Sequence, residues 1–214
     1  VIIAVDNCYC EFCEINEPTA YGADIMAGSL IKNPGGGLAP TGGYVAGKSA
    51  LVERVAQRLT VPGLGAEVGS YAGDYRVFYQ GLFMAPHTVA QCLKSVALFA
   101  ACLEQLGFET LPAYNDPRSD IVESIRFGSP EKLIQFCKGI QKAAPVDSNL
   151  VPEPWDMPGY ADPVIMAEGS FVQGATTELS VDGPMRAPYI GYLQGSLTYA
   201  HGRIAAMLAV DALL

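Results

Sequence analysis

Hydrophobic positions change their period several times along the chain. Val1 to Val5 is a continuous apolar, β-branched run closed by Asp6, the pattern of a buried central strand in a parallel sheet. Ile25–Ala27 and Tyr44–Ala46 are two shorter apolar stretches. Ser49 is placed to N-cap a helical pattern over Ala50–Leu59, with Glu53 and Arg54 on its polar side. Glycine and proline punctuate residues 60 to 86. Thr88–Leu106 is the clearest helix, apolar on most faces, with Gly107 past its end. "FETLPAY" and "DIVESIRF" read as strand and loop. Ser129-Pro130-Glu131 then opens a helix to about Ala143, with serine as N-cap and proline at the first helical position. A proline-rich connection, Pro145–Pro163, carries the single Trp155. "VIMAEGSFVQGATTELSVDG" predicts two strands joined by a turn, and Tyr189–Ala212 a last helix.

Composition narrows the class. Half of the 214 residues are hydrophobic and 16% are charged, which supports a packed core rather than disorder. The net charge of −9 comes without any basic run, so neither nucleic acid nor an anionic membrane is an expected partner. No apolar run reaches the roughly 18 residues that span a bilayer. Of six cysteines, Cys8, Cys10 and Cys13 cluster, but His87 and His201 are remote in sequence and no second CxxC supplies a fourth metal ligand. Reduced thiols in an intracellular, cytoplasmic protein are the expectation. The chain opens at Val1 on an abrupt apolar run, without Met, and is expected to be a fragment of a longer polypeptide.

The segment "GSLIKNPGGGLAPTGGYVAGKS" holds two candidate lysines. Lys48 ends the letter pattern of a phosphate-binding loop, G-x-x-x-x-G-K-S. Such a loop needs a strand feeding its first glycine, whereas Gly42 follows "GGGLAPT" and the apolar residues lie inside the supposed loop. Lys32 precedes a proline and three glycines, which leaves it on a turn. A pyridoxal phosphate enzyme needs a lysine for the cofactor aldehyde, an acid for the pyridine nitrogen, and hydroxyls for the phosphate. Asp6 at a strand end and Ser29 three residues before Lys32 fit those parts. From spacing alone the commoner reading is a solvated lysine before a turn and an aspartate that caps a helix after a strand.

The motifs "VDNCYC", "GAD", "SLIK" and "TGG" resemble, in order and spacing, the cystathionine and methionine gamma-lyase group of fold-type I pyridoxal phosphate enzymes. "SLIKNPGGGLAPTGGYVAGK", "GIQKAAPVDS", "PEPWDMPGY", "DPVIMAEGSFVQGATTELS" and "YLQGSLTY" resemble its offshoot, the methionine gamma-lyase-like or aluminium-resistance family. The likeness covers essentially the whole chain. It implies an α/β protein of the PLP-dependent transferase-like fold (fold type I). Residues 1–85 would be part of a cofactor-binding large domain with a mostly parallel sheet, and residues 86–214 a small α+β C-terminal domain.

The resemblance also implies a carbon–sulfur lyase acting by β- or γ-elimination on a sulfur-containing amino acid, with pyridoxal 5'-phosphate as cofactor and a homodimer or homotetramer as the assembly. By position, Lys32 matches the Schiff-base lysine, Asp6 the pyridine-nitrogen acid and Ser29 the phosphate hydroxyl. Arg186 lies where a substrate-carboxylate arginine is expected, and Tyr44 and Tyr9 are further pocket candidates. Cys10 departs from the glycine of the closer family, and the family's N-terminal half is missing from the sequence. The competing readings are a fold-type I scaffold without activity and a nucleotide binder through Lys48.

Overall fold

The computed structural model describes residues 1–214 as two sheets joined by one long helix. The first sheet holds β1 (Ala4–Asp6), β2 (Ile25–Ser29) and β3 (Gly43–Gly47), in that spatial order. β1 and β2 run parallel and β2 and β3 antiparallel, so the sheet expected to be mostly parallel is mixed within this chain. β1 is an edge strand, and Val1, Ile2 and Ile3 are exposed. The apolar run promised a buried central strand, yet only β2 pairs with it here. α1 (Ser49–Leu59) follows β3; its N-cap is Lys48 rather than Ser49, which is the first helical residue.

α2 (Arg76–Gln105) starts well before the helix predicted from Thr88 and runs through Pro86. Pro86 sits on an exposed face, where the lost N–H costs least. The boundary expected between residues 85 and 86 therefore falls inside one helix. Beyond it come β4 (Glu109–Leu111), β5 (Val122–Arg126), α3 (Pro130–Ala143), β6 (Val164–Glu168), β7 (Ser180–Pro184), β8 (Ile190–Gln194) and α4 (Tyr199–Leu213). Ser129 caps α3 as its sequence predicts, its hydroxyl accepting from Lys132 N at 3.3 Å. The second sheet is antiparallel throughout, in the order β4-β5-β8-β7-β6. β8 takes its centre, where the sequence pattern had suggested the start of the last helix.

Alternation decides which face of this sheet is core. Ile125, Ile165, Ala167, Val181 and Leu193 pack with Phe99 and Leu103 of α2, Leu133, Phe136 and Ile140 of α3, and Ala205 and Ala209 of α4. The ring of Phe136 lies 4.9 Å from that of Phe127 and 6.2 Å from that of Phe99, between centroids. α3 and α4 touch backbone to backbone at Gly139, where a Cβ would stand 2.7 Å from Ala209 Cα. The other residues of each strand, Val164, Met166, Glu168, Ser180, Asp182, Pro184, Tyr192 and Gln194, face away from the helices and toward the turn that carries Lys32. No helix is long and apolar enough to cross a membrane.

Candidate functional site

Lys32 leaves β2 and opens a 3-10 turn, Asn33–Gly35, at a backbone conformation of φ −108° and ψ −144°. Three contacts lock this turn. Asn33 is fully buried, and its Nδ2 donates to Tyr9 O at 2.9 Å and to Glu11 O at 3.0 Å. Thr88 of α2 donates from Oγ1 to Gly36 O at 3.2 Å. Gly35 and Gly81 meet without side chains: a Cβ on Gly81 would lie 2.2 Å from Gly35 O. The glycines after Lys32 thus let the turn sit on the α2 backbone, and Gly36 adds a left-handed φ of 57°. Gly81, in the N-terminal turns of α2 that the sequence pattern missed, supplies one of the three contacts that position the lysine.

The Lys32 ammonium lies over the Tyr9 ring, 5.4 Å from its centroid. Tyr9 holds a positive φ of 75°, and its carbonyl also accepts from Ile121 N at 3.2 Å. Lys32, Tyr9 and Arg186 line one cavity of about 500 Å³. Its opposite wall is the polar face of the second sheet. Arg186 stands on the turn between β7 and β8, and its Nη1 reaches Asp162 Oδ2 at 3.4 Å.

Asp6 and Ser29 border a second, open groove of about 520 Å³ whose other walls include Cys8, Ala27, Gly28, Gly42 and Gly43. Register explains the pairing: Asp6 is opposite Ala27 in parallel strands, and Ser29 is two residues further along β2, on the same face. Asp6 Oδ1 accepts from Cys8 N at 3.1 Å. That bond is the largest reason its carboxyl sits below the usual aspartate range, and the nearby Lys32 charge acts in the same direction. Asp6 is therefore an anion within electrostatic reach of Lys32.

Tyr44 is not brought to either site wall. It pairs with Gly28, on the opposite face of β2 from Ser29. Its hydroxyl donates to Glu11 Oε1 at 2.9 Å and accepts from Asn7 Nδ2 at 3.2 Å, inside a polar cluster beneath the sheet. Burial pushes both the Tyr44 phenol and the Glu11 carboxyl up. The clustered thiols bond to backbone as well: Cys13 Sγ to Tyr9 O at 3.5 Å and Cys10 Sγ to Cys8 O at 3.7 Å. Burial raises Cys10 to about 11, so it is a protonated packing residue at neutral pH.

Lys48 lies elsewhere. It is solvent-exposed and paired with Asp24. Residues 43–47 of its glycine-rich motif are extended strand paired with β2, not a loop wrapped around an anion. Sequence reading missed Asp182, Gln194 and Glu168 in the Lys32 cavity; the strand alternation of "ELSVDGP" was the pattern that could have placed Asp182 on the open face.

Comparison with known proteins follows this geometry. The family model described as methionine gamma-lyase matches residues 1–214. A Lactobacillus delbrueckii subsp. bulgaricus relative, named an uncharacterized 33.9 kDa protein in the glnA 5' region, is 53% identical over 210 residues, 98% of this chain and 69% of its own length. A solved structure from Clostridium acetobutylicum, provisionally named a cystathionine beta-lyase involved in aluminum resistance, superposes with a TM-score of 0.96 at 54% identity, over 100% of this chain and 50% of that one. A Clostridium novyi NT structure named a carbon-sulfur lyase involved in aluminum resistance gives a TM-score of 0.95 at 52% identity, again over 100% of this chain and 50% of that one. The chain spans about half the length of these solved relatives.

Proposed function

The chain belongs to the methionine gamma-lyase family, and from that membership we propose that it forms the lysine-bearing part of a carbon–sulfur lyase dependent on pyridoxal 5'-phosphate. In this reading the fold is type I, residues 1–85 belong to the cofactor-binding large domain and residues 86–214 form the small domain. The substrate is a sulfur-containing amino acid, and the protein works in the cytoplasm as a homodimer or homotetramer.

The residues present fit the group. The walls of the Asp6–Ser29 groove are mostly glycine and alanine, which leaves room for a flat ring. An ionised carboxylate and a hydroxyl border it, and the chain continues from Ser29 to the Lys32 amine in the neighbouring cavity, the set that a pyridine nitrogen, a phosphate and an aldehyde require. Asp6 would hold the proton on the ring nitrogen, Ser29 would donate to the phosphate, and Lys32 would tether the aldehyde. When bound, pyridoxal phosphate supplies an electron sink for charge developing at the substrate α-carbon.

The chain's own residues then divide the work. Arg186 orients the substrate through its carboxylate, as a planar donor pair does. Lys32 Nζ takes the α-proton. The C–S bond of the substrate breaks with its electron pair leaving on sulfur, the electrons released by proton removal close a carbon–carbon double bond, and the proton held on Lys32 Nζ passes to sulfur as the thiol departs. The second sheet walls the cavity on the side away from Lys32.

The observation that carries this reading is the placement of Lys32. It shares one cavity with Arg186 and lies within the electrostatic reach of Asp6. The test is the visible absorbance that pyridoxal phosphate acquires on joining a lysine. The full-length protein should show it and a Lys32→Ala variant should not; an unchanged spectrum in the variant removes the assignment.

A further inference from the structure

Asp182 is the one carboxylate of the Lys32 cavity left without a matched donor. It sits at the centre of β7, between Met166 of β6 and Tyr192 of β8. All three line the cavity. The other cavity acids are engaged. Glu168 Oε1 accepts from Ser170 Oγ at 2.6 Å and from Gly174 N, and Asp162 faces Arg186. Asp182 receives only a long bond, 3.5 Å, from Gln194 Nε2. That amide is already donating to Tyr192 O at 3.0 Å, and its oxygen accepts from Ser180 Oγ. None of the ion pairs of the structure includes Asp182.

Burial in the cavity opposes its charge. Met166 and Tyr192, its cross-strand neighbours, are uncharged, so sheet packing does not itself require an acid at this position. The cavity's two cations have other work in the lyase reading, Lys32 at the α-carbon and Arg186 at the carboxylate. What remains for Asp182 to meet is the part of the substrate beyond sulfur.

We infer that Asp182 selects substrates whose departing thiol carries a cation, such as a primary ammonium, over those with an apolar tail. The inference rests on the lyase reading and deepens it by naming the chemistry of the leaving group. A cavity of about 500 Å³ holds an amino acid with such a tail. A methyl or propyl tail would leave the carboxylate desolvated and unpaired, the situation in which a polar site discriminates most strongly.

The test uses the full-length protein with pyridoxal phosphate and two substrates of equal size, S-(2-aminoethyl)-cysteine and S-propyl-cysteine, which differ by an ammonium in place of a methyl. Thiol release gives kcat/KM for each. The expected ratio favours the aminoethyl compound by about tenfold or more, as polar-site discrimination allows. In Asp182→Asn the ratio should fall to near one, and in Asp182→Glu most of it should return. Because both substrates meet the same active sites, the ratio does not depend on how much of a variant folds. A wild-type ratio at or below one, or a ratio unchanged in Asp182→Asn, overturns the inference while leaving the lyase reading intact. Absence of cofactor from Lys32 overturns both.

Discussion

The Lys32 ammonium stands over the face of the Tyr9 ring, 5.4 Å from its centroid, and the two residues are tied together by a third. Asn33, next to the lysine, donates to the carbonyl of Tyr9 at 2.9 Å. The lysine and its aromatic floor therefore move as one unit. A ring face under a cation contributes about 1 kcal/mol where it is partly desolvated. Tyr9→Leu should cost about 1 kcal/mol in urea unfolding of the full-length protein, whereas Tyr9→Phe should keep most of that stability. Equal losses in both would mean that the hydroxyl, not the ring face, matters.

Asn33 is the most exposed of these contacts to a simple stability test. Its buried amide makes two hydrogen bonds. Asn33→Ala removes the donor to Glu11 O and one of the donors to Tyr9 O, which keeps Ile121 N, and should cost about 2 kcal/mol in urea unfolding. Asn33→Asp presents an acceptor to the same carbonyls, so at neutral pH it should cost more than alanine does. A loss below roughly 0.5 kcal/mol for both would show that the turn is held by other contacts.

The glycine contact between the lysine turn and α2 yields a sharper prediction. A Cβ on Gly81 would lie 2.2 Å from Gly35 O, and one on Gly36 2.3 Å from Gly81 O. Backbone must move to admit either. Gly81→Ala should destabilise by about 2 kcal/mol despite alanine's better helix propensity, and it should lower cofactor affinity as well. A stabilised Gly81→Ala protein would contradict the close approach.

This contact also marks where the sequence was legible and where it was not. Short apolar stretches marked β2 and β3, a strand-turn-strand pattern marked β6 and β7, and capping chemistry placed α3 to its first residue. Pro86 and the glycines before it hid the first turns of α2, because proline on a solvent face interrupts the pattern without ending the helix. β8 was lost for a different reason. Ile190, Tyr192 and Leu193 fit a helical stripe as well as a strand, and only Gly195, at φ 79°, and the Thr198 cap mark the break before α4. At the site, Asp6 and Ser29 share one groove and Lys32, three residues on, lines the neighbouring cavity. Tyr44 was drawn in by its nearness in sequence, but strand alternation turns it to the opposite face. Asp182 was missed because the alternation of "ELSVDGP" gives the face it takes, but the cavity that face lines is set by long-range sheet register.

Glu123 and Arg118 form a pair buried in the protein, 2.6 Å apart, with the glutamate side chain fully inaccessible. Burial pushes Glu123 up to about 7, and Arg118 offsets only part of that rise. A folded-state value above the unfolded one means that the folded protein holds the proton more tightly. The contribution is fully present below the unfolded glutamate range, near 4.5, and is lost as pH rises through about 7. Unfolding free energy should therefore fall between those values in a Glu123-dependent way. Glu123→Gln should flatten that slope; a slope unchanged in the variant would assign it to other groups.

Lys48 offers the contrast. Its pair with Asp24 is exposed on the lysine side, so Lys48→Ala should change stability by less than about 1 kcal/mol and leave cofactor binding unaltered. Loss of pyridoxal phosphate on removing Lys48 would revive the phosphate-loop reading of the glycine-rich segment.

The most direct measurement is chemical capture of the cofactor. The full-length protein is loaded with pyridoxal phosphate, reduced with borohydride, digested and mapped by mass spectrometry. The added pyridoxyl mass should fall on the peptide containing Lys32 and on no other. Its appearance on Lys48, or its absence from every lysine of the chain, would contradict the account.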